Sequence, residues 1–218
     1  MVAHGRLPAE RIGDRWIVDR NSIEAINRRP RLRGRPFSAR NCWAILFLAS
    51  GHQLDGVDAS TRSRLKRVLL REGLEHLGPR LEKRAQLRHF EAHPGEVRHI
   101  LNDPRIVKTG PSGVDEYGLD LLIESEADAY IAAADIEEFV VDHALTPTVG
   151  TSNVVLRVVS PEGWQLLETK PVAPLAVVAL DLSESMDSRS SRTGLDAVRR
   201  IDQTMEGNLN GNSTRPPK

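Results

Sequence analysis

The segment Gly5–Ile23, GRLPAERIGDRWIVDRNSI, constrains this 218-residue chain more tightly than any other stretch. Pro8 disfavours helix at the residue before it, so Leu7-Pro8-Ala9 is extended. Gly13-Asp14 is the kind of pair that closes a tight turn between antiparallel strands, and Trp16, Ile17 and Val18 are strand formers. Asn21 or Ser22 then caps a short helix, with Ile23 and Ile26 on one face and Glu24 in its first turn. The unit is strand, turn, strand, capped helix, and it carries Arg6, Arg11, Arg15 and Arg20.

Gly5, Leu7, Pro8, Ala9, Gly13, Trp16 and Val18 spell the phrase G-x-L-P-A-x-x-x-G-x-x-W-x-V. On those residues the stretch resembles the second half of an excisionase-type, MerR-like winged helix-turn-helix. The resemblance implies a wing followed by a short helix, with Arg11 and Arg15 at the turn of the wing and Trp16 at its core position. In that family the two helices of the motif, including the one that reads the major groove, come before the wing. Here only Met1–His4 stands before Gly5. The expectation is a partial winged helix over residues 1–27, with two explanations open: a chain that starts late, or a degenerate domain.

The formal charge is zero, but it is unevenly distributed. Residues 1–84 carry 18 Lys and Arg against 9 Asp and Glu, a net of +9, while residues 85–218 carry 12 against 21, a net of −9. A basic half joined to an acidic half suggests one end for polyanions and another for something else. Residues 28–37, RRPRLRGRPF, concentrate that positive charge in Arg28, Arg29, Arg31, Arg33 and Arg35 without an acid. Such a stretch is expected to stay extended and solvated, a linker that can track DNA phosphates. The bland alternative is a soluble hinge.

Ser38 is an N-cap candidate for an apolar helix through Cys42, Trp43, Ile45 and Phe47, ending near Gly51. A helix apolar almost all round is usually buried, so Cys42 and Trp43 read as core. One cysteine allows no internal disulfide and fits a reducing cytosol. A loop to Ala59 follows, then a helix capped by Ser60, with Leu65, Val68 and Leu69 inward and Arg62, Arg64, Lys66, Arg67 and Arg71 around the rest. Another short helix, Leu74–Leu81, is expected to break at Gly78-Pro79. Residues 38–84 thus read as a small helical bundle with one basic face.

Beyond residue 85 the pattern is mixed, and an α+β domain is expected over 85–205. Leu87–Ala92 reads as a strand, and Pro94 opens a helix with Val97, Ile100 and Leu101 inward. Val107–Pro111 is a turn or short strand. Leu119–Glu124 and Ala127–Ala132 look like a hairpin around Ser125-Glu126. Asp135 caps a helix through Ile136, Phe139 and His143. Asn153–Val159 and Leu175–Leu182 are near-continuous in Val and Leu and suit strands buried on both faces. A last helix spans about Ser188–Met205, and the polar stretch 206–218 is expected to be disordered. No apolar run reaches the roughly 18 residues of a membrane span, and no apolar signal core opens the chain.

Candidate chemistry is sparse. Metal sites on helices want an i, i+4 pair with further ligands; among His89, His93 and His99, His89 falls on an expected strand and His99 on an expected helix, and no carboxylate cluster of ligand spacing joins them. A triad of Ser112, His143 and Asp181 can be written down, but no nucleophile-elbow motif supports it. Gly110-Pro111-Ser112-Gly113 lacks phosphate-loop spacing. Asp181 ends the expected apolar strand, a position that catalytic carboxylates favour in α/β enzymes. The lysine of an Asp/Glu-Lys nuclease site is missing nearby, and capping or bracing the final helix is the preferred reading. No catalytic residue, metal or cofactor is expected.

Asp103-Pro104-Arg105, the phrase Thr109-Gly110-Pro111-Ser112, the strand Asn153–Val159 and the run from Ala173 to Gly194 together resemble the C-terminal domain of AbiEi-type antitoxin regulators. Members join a winged helix to this domain and are encoded beside a nucleotidyltransferase toxin. The two resemblances imply a cytoplasmic DNA-binding regulator, antitoxin-like and repressing its own operon. Its expected partners are DNA, a cognate toxin and a second copy in a homodimer, with no membrane. Arg6, Arg11, Arg15, Arg20, Arg28, Arg29, Arg31, Arg33 and Arg35 are the expected DNA contacts. The alternative is a protein-binding module whose DNA-binding head has decayed; a nuclease using Asp181 is a third reading.

Overall fold

The computed structural model describes residues 9–12, 15–18, 34–54, 56–121, 125–148 and 152–211, with side chains described within 34–207. Strands β1 (Ala9–Ile12) and β2 (Arg15–Val18) pair antiparallel, Ala9 opposite Val18 and Ile12 opposite Arg15. The turn expected between them at Gly13-Asp14 lies outside the described residues. The helix expected next, with its Asn21 or Ser22 cap, lies outside the described residues.

Helix α1 (Ala39–Ala49) starts where the sequence places it. Ser38 is extended, at φ −66° and ψ 158°, and its hydroxyl accepts from the Asn41 N–H. Cys42 through Phe47 are buried, and burial pushes the Cys42 thiol up to about 11, which keeps it a neutral core group. Helix α2 (Ala59–Leu77) begins one cap earlier than expected. Asp58, not Ser60, accepts the free N–H of Thr61 at 2.8 Å, and Ser60 donates its own hydroxyl to that carboxylate. A carboxylate at a helix N-terminus satisfies both the orphan donor and the dipole.

The break in this helical stretch is at Gly73, not Gly78-Pro79. Gly73 takes φ 73° and ψ 156°, a region that favours glycine. The N–H groups of Leu74 and Glu75, freed at the restart, donate to the Asp202 carboxylate at 2.7 and 3.2 Å. The cap thus comes from another helix far along the chain. Gly78-Pro79 instead opens a 3₁₀ segment, Gly78–Arg84.

The described sheet of the C-terminal part has five strands in the order β4-β5-β7-β3-β6, with β3 (Gln86–Glu91), β4 (Ile106–Lys108), β5 (Ala127–Ala132), β6 (Thr146–Pro147) and β7 (Val154–Val159). The β5–β7 pair is parallel and the other three are antiparallel. With helices beside this mixed sheet, the expected α+β class holds. The hairpin expected around Ser125-Glu126 does not form. Both edges of β5 are taken, by β4 and β7, and Gly118 in the left-handed region turns the chain so that Leu121 enters the helical core. Helix α3 (Val97–Ile100), after a 3₁₀ turn at Pro94, and helix α4 (Ile136–Asp142) cover one sheet face with Val97, Ile100, Ile136 and Phe139. Asp135 precedes α4 but makes no side-chain cap bond.

Leu175–Leu182 is not a strand. It is helix α6 (Leu175–Ser183), following the short helix α5 (Pro161–Trp164), and Ala176 through Leu182 are all buried. A short apolar run has no period that separates a buried strand from a buried helix. Packing decides the matter: α6 lies in the same core as α1, α2 and the last helix, α7 (Ser188–Gly211). Gly194 lets α7 approach α6, since a Cβ there would run into the backbone at Leu182 and Ser183. The helices of 38–84 and those of the C-terminal part therefore share one core. The α7 backbone continues to Gly211, into the stretch expected as tail. Among the described residues no helix is long and apolar enough to cross a membrane.

A Cβ at Gly73 would lie 2.9 Å from an Asp202 carboxylate oxygen and would be held at positive φ. Gly73→Ala is expected to lower the unfolding free energy by about 1–3 kcal/mol, measured by urea denaturation, with Gly56→Ala, also at positive φ but in open space, as the comparison.

Candidate functional site

Of the nine arginines expected to contact DNA, Arg35 is the one whose side chain is described; it is exposed. Arg11 and Arg15 are placed by backbone only, in β1 and β2. Arg6, Arg20, Arg28, Arg29, Arg31 and Arg33 lie outside the described residues. The described end of the basic stretch is docked, which differs from a fully solvated linker. Phe37 N–H donates to the Arg80 carbonyl at 3.0 Å, Arg80 Nε donates to the Arg35 carbonyl at 3.2 Å, and the Arg80 guanidinium lies over the Phe37 ring. This clamp fixes the point at which the basic stretch meets the helices.

Helix α2 presents the basic face that its sequence announces. Leu65 and Leu69 turn inward, so the helical period sends Arg62, Arg64, Lys66, Arg67 and Arg71 outward, all exposed. Arg62 is tied to the Val57 carbonyl and Arg71 to Glu72. Arg64, Lys66 and Arg67 have no ion-pair partner among the described residues. Unpaired, exposed cations on one helix can neutralise phosphates.

A second cluster is buried, and the sequence did not foretell it. The period-2 alternation of β5 puts Asp128 and Tyr130 on the sheet face opposite α3 and α4, and the register sets Arg157 of β7 beside Tyr130. Asp181, at 0% exposure on α6, comes down on that face. It accepts from Arg84 at 2.7 Å and from the Thr109 hydroxyl at 2.6 Å, with Arg157 Nη1 at 2.9 Å. Arg157 also makes two bonds to Asp128, at 2.8 and 2.9 Å, and Arg84 reaches Glu184 at 2.6 Å. Burial alone would lower the Arg84 and Arg157 pKa values, but the surrounding acids outweigh it and both stay raised. Burial raises the Asp128 carboxyl and also the Tyr130 phenol, which Asp181 raises further. A cleft of about 200 Å³ opens over Arg84, Asp128 and Arg157, rimmed by Glu126, Glu184 and Asp187. The signal for this cluster was available: Arg157, Asp128 and Asp181 each interrupt an apolar run, where a charge needs a partner.

Asp181 therefore braces a helix against the sheet. It neither ends a strand nor supports the final helix; Asp187 caps α7, accepting from the Ser190 N–H at 2.7 Å. The paper triad is not assembled. Ser112 accepts from the Asp128 N–H, His143 sits between Glu96 and Asp103, and Asp181 faces the arginines. His89, His93 and His99 bond Ser152, the Gly95 N–H and Glu96, respectively. Among the described residues no group of three His, Cys, Asp or Glu is placed to hold a metal ion.

Asp181→Asn is expected to destabilise the fold by about 3–5 kcal/mol, because it leaves two buried guanidinium groups short of a counter-charge; chemical denaturation reads this directly. At the surface, hydrogen bonds from Arg105, helped by His143, hold the Asp103 carboxyl well below its usual range. A depressed carboxylate contributes stability that is fully present above its unfolded pKa and lost as pH falls through the folded one. Asp103→Asn should therefore be less stable than the parent at pH 7, with the gap closing as pH drops below about 4 in a pH series of thermal melts.

No protein-family model, no curated protein and no solved structure matches this chain.

Proposed function

We propose that this protein is a cytoplasmic DNA-binding regulator, antitoxin-like, that represses its own operon. The outer face of α2, the arm ending at the Phe37–Arg80 clamp and the β1–β2 hairpin would lie along the phosphate backbone. The observation that carries this reading is the exposed pair Arg64 and Arg67 on the outer side of α2, with Lys66 at its groove-side edge, cations without partners among the described residues. Helix α2 enters no groove in this reading. Its cations position the protein, and the arginines of the hairpin and arm add backbone or minor-groove contacts. The cognate nucleotidyltransferase toxin and the homodimer come from the resemblance of 103–200 to AbiEi-type regulators. In that arrangement the acidic C-terminal part would serve the protein partner.

Phosphate contacts release counterions, so binding to the DNA upstream of its own gene should weaken steeply with salt. Arg64→Ala and Arg67→Ala should each lower the slope of log affinity against log salt by about 1. A mobility-shift assay at about 50 mM salt showing no retarded band would overturn the proposal. Co-purification of the neighbouring gene product without DNA affinity would select the protein-binding module instead.

A further inference from the structure

We infer that the groove between α1, α2, α6 and α7 is a binding site for a single-chain anionic amphiphile, the chemistry of a medium-chain carboxylate. The cavity measures about 700 Å³, within the roughly 300–1,000 Å³ of small-molecule sites. Its floor is apolar: Leu69 of α2 meets Ala197 and Ile201 of α7, all three buried. Its polar edge is basic. Lys66 and Arg200 line the groove, are exposed, and have no ion-pair partner among the described residues. His52 adds a ring at the same edge, but burial and the Lys170 charge lower its pKa, so the positive charge there is that of Lys66 and Arg200. Among the described residues that line it, none is acidic.

An apolar floor under two unpaired cations selects a ligand with an alkyl or ring body and an anionic head. The body gains by leaving water, at about 25 cal/mol per Å² buried, and the head meets Lys66 and Arg200 at the open edge. The polar ends of this chain are poor occupants. The stretch 28–37 and the terminal NSTRPPK are both basic and would be repelled by the same rim. Lys66 stands on the helix whose outer face is proposed to meet DNA, so an occupied groove would sit beside that face. The site itself does not depend on DNA binding, and its test contains none.

Titration calorimetry of the full chain with dodecanoate, kept below micelle formation, tests the site. One saturable site per chain is expected, with dodecyltrimethylammonium, of the same alkyl length and opposite charge, binding roughly tenfold or more weakly. Thr204→Trp, at an exposed α7 position that lines the groove, should obstruct the tail. The exposed pair Lys66→Glu/Arg200→Glu should repel the head. Each should weaken dodecanoate roughly tenfold while circular-dichroism melting stays within a few degrees of the parent. The inference is overturned if dodecanoate gives no saturable heat, if the two amphiphiles bind equally, or if the charge-reversed protein binds dodecanoate as the parent does.

Discussion

At the centre of the molecule the Asp181 carboxylate, shut off from solvent, meets two guanidinium groups delivered by different parts of the chain. Arg84 comes from the 3₁₀ segment that ends the first helical stretch, Arg157 from the middle of the sheet, and the Thr109 hydroxyl from the end of β4. An isolated charge in such a place is strongly unfavourable, and a complete set of partners is tolerated. The condition for burying any one of these groups is that the others arrive. Apolar contact is non-directional; the ion network adds a directional constraint on α6, with donors from Arg84, Thr109 and Arg157 meeting the oxygens of Asp181 and Asp128.

The same distinction organises the arginines. Arg84 counts toward the basic half of the sequence, yet its charge is spent inside the core. Arg80, Arg88, Arg105 and Arg199 are tied to Glu72, Glu137, Asp103 and Glu75. Part of the positive charge is therefore not available to a polyanion, while the outer turns of α2 and Arg35 beyond the clamp are exposed. Lys66 and Arg200 border an apolar groove as well, so one helix contributes both to a charged face and to a cavity wall.

Local signals were legible wherever neighbours in the sequence suffice. Ser38 caps α1, Arg15–Val18 is a strand paired with Ala9–Ile12, Leu65 and Leu69 turn inward so that the cations of α2 face outward, and Asn153–Val159 holds the strand β7. The misreadings share one cause. Leu175–Leu182 is as apolar as a central strand because α6 is enclosed between other helices and one face of the sheet, and Ala127–Ala132 pairs with β4 and β7 in place of the stretch just before it. In both cases the deciding partner is distant in sequence. The break at Gly73 belongs here too, since its cap is Asp202, supplied by α7.

From residues alone came the α+β class, the positions of most helices, the uneven charge and the exposed cations of α2. These follow from composition and from short-range periods of side-chain direction. Tertiary structure alone decided that α6 is a helix, that Asp181 braces this helix against the sheet, and that α1, α2, α6 and α7 enclose a groove with a basic edge. Each of those depends on which surfaces meet. A buried charge or an apolar run has no fixed role until the fold brings its partners to it.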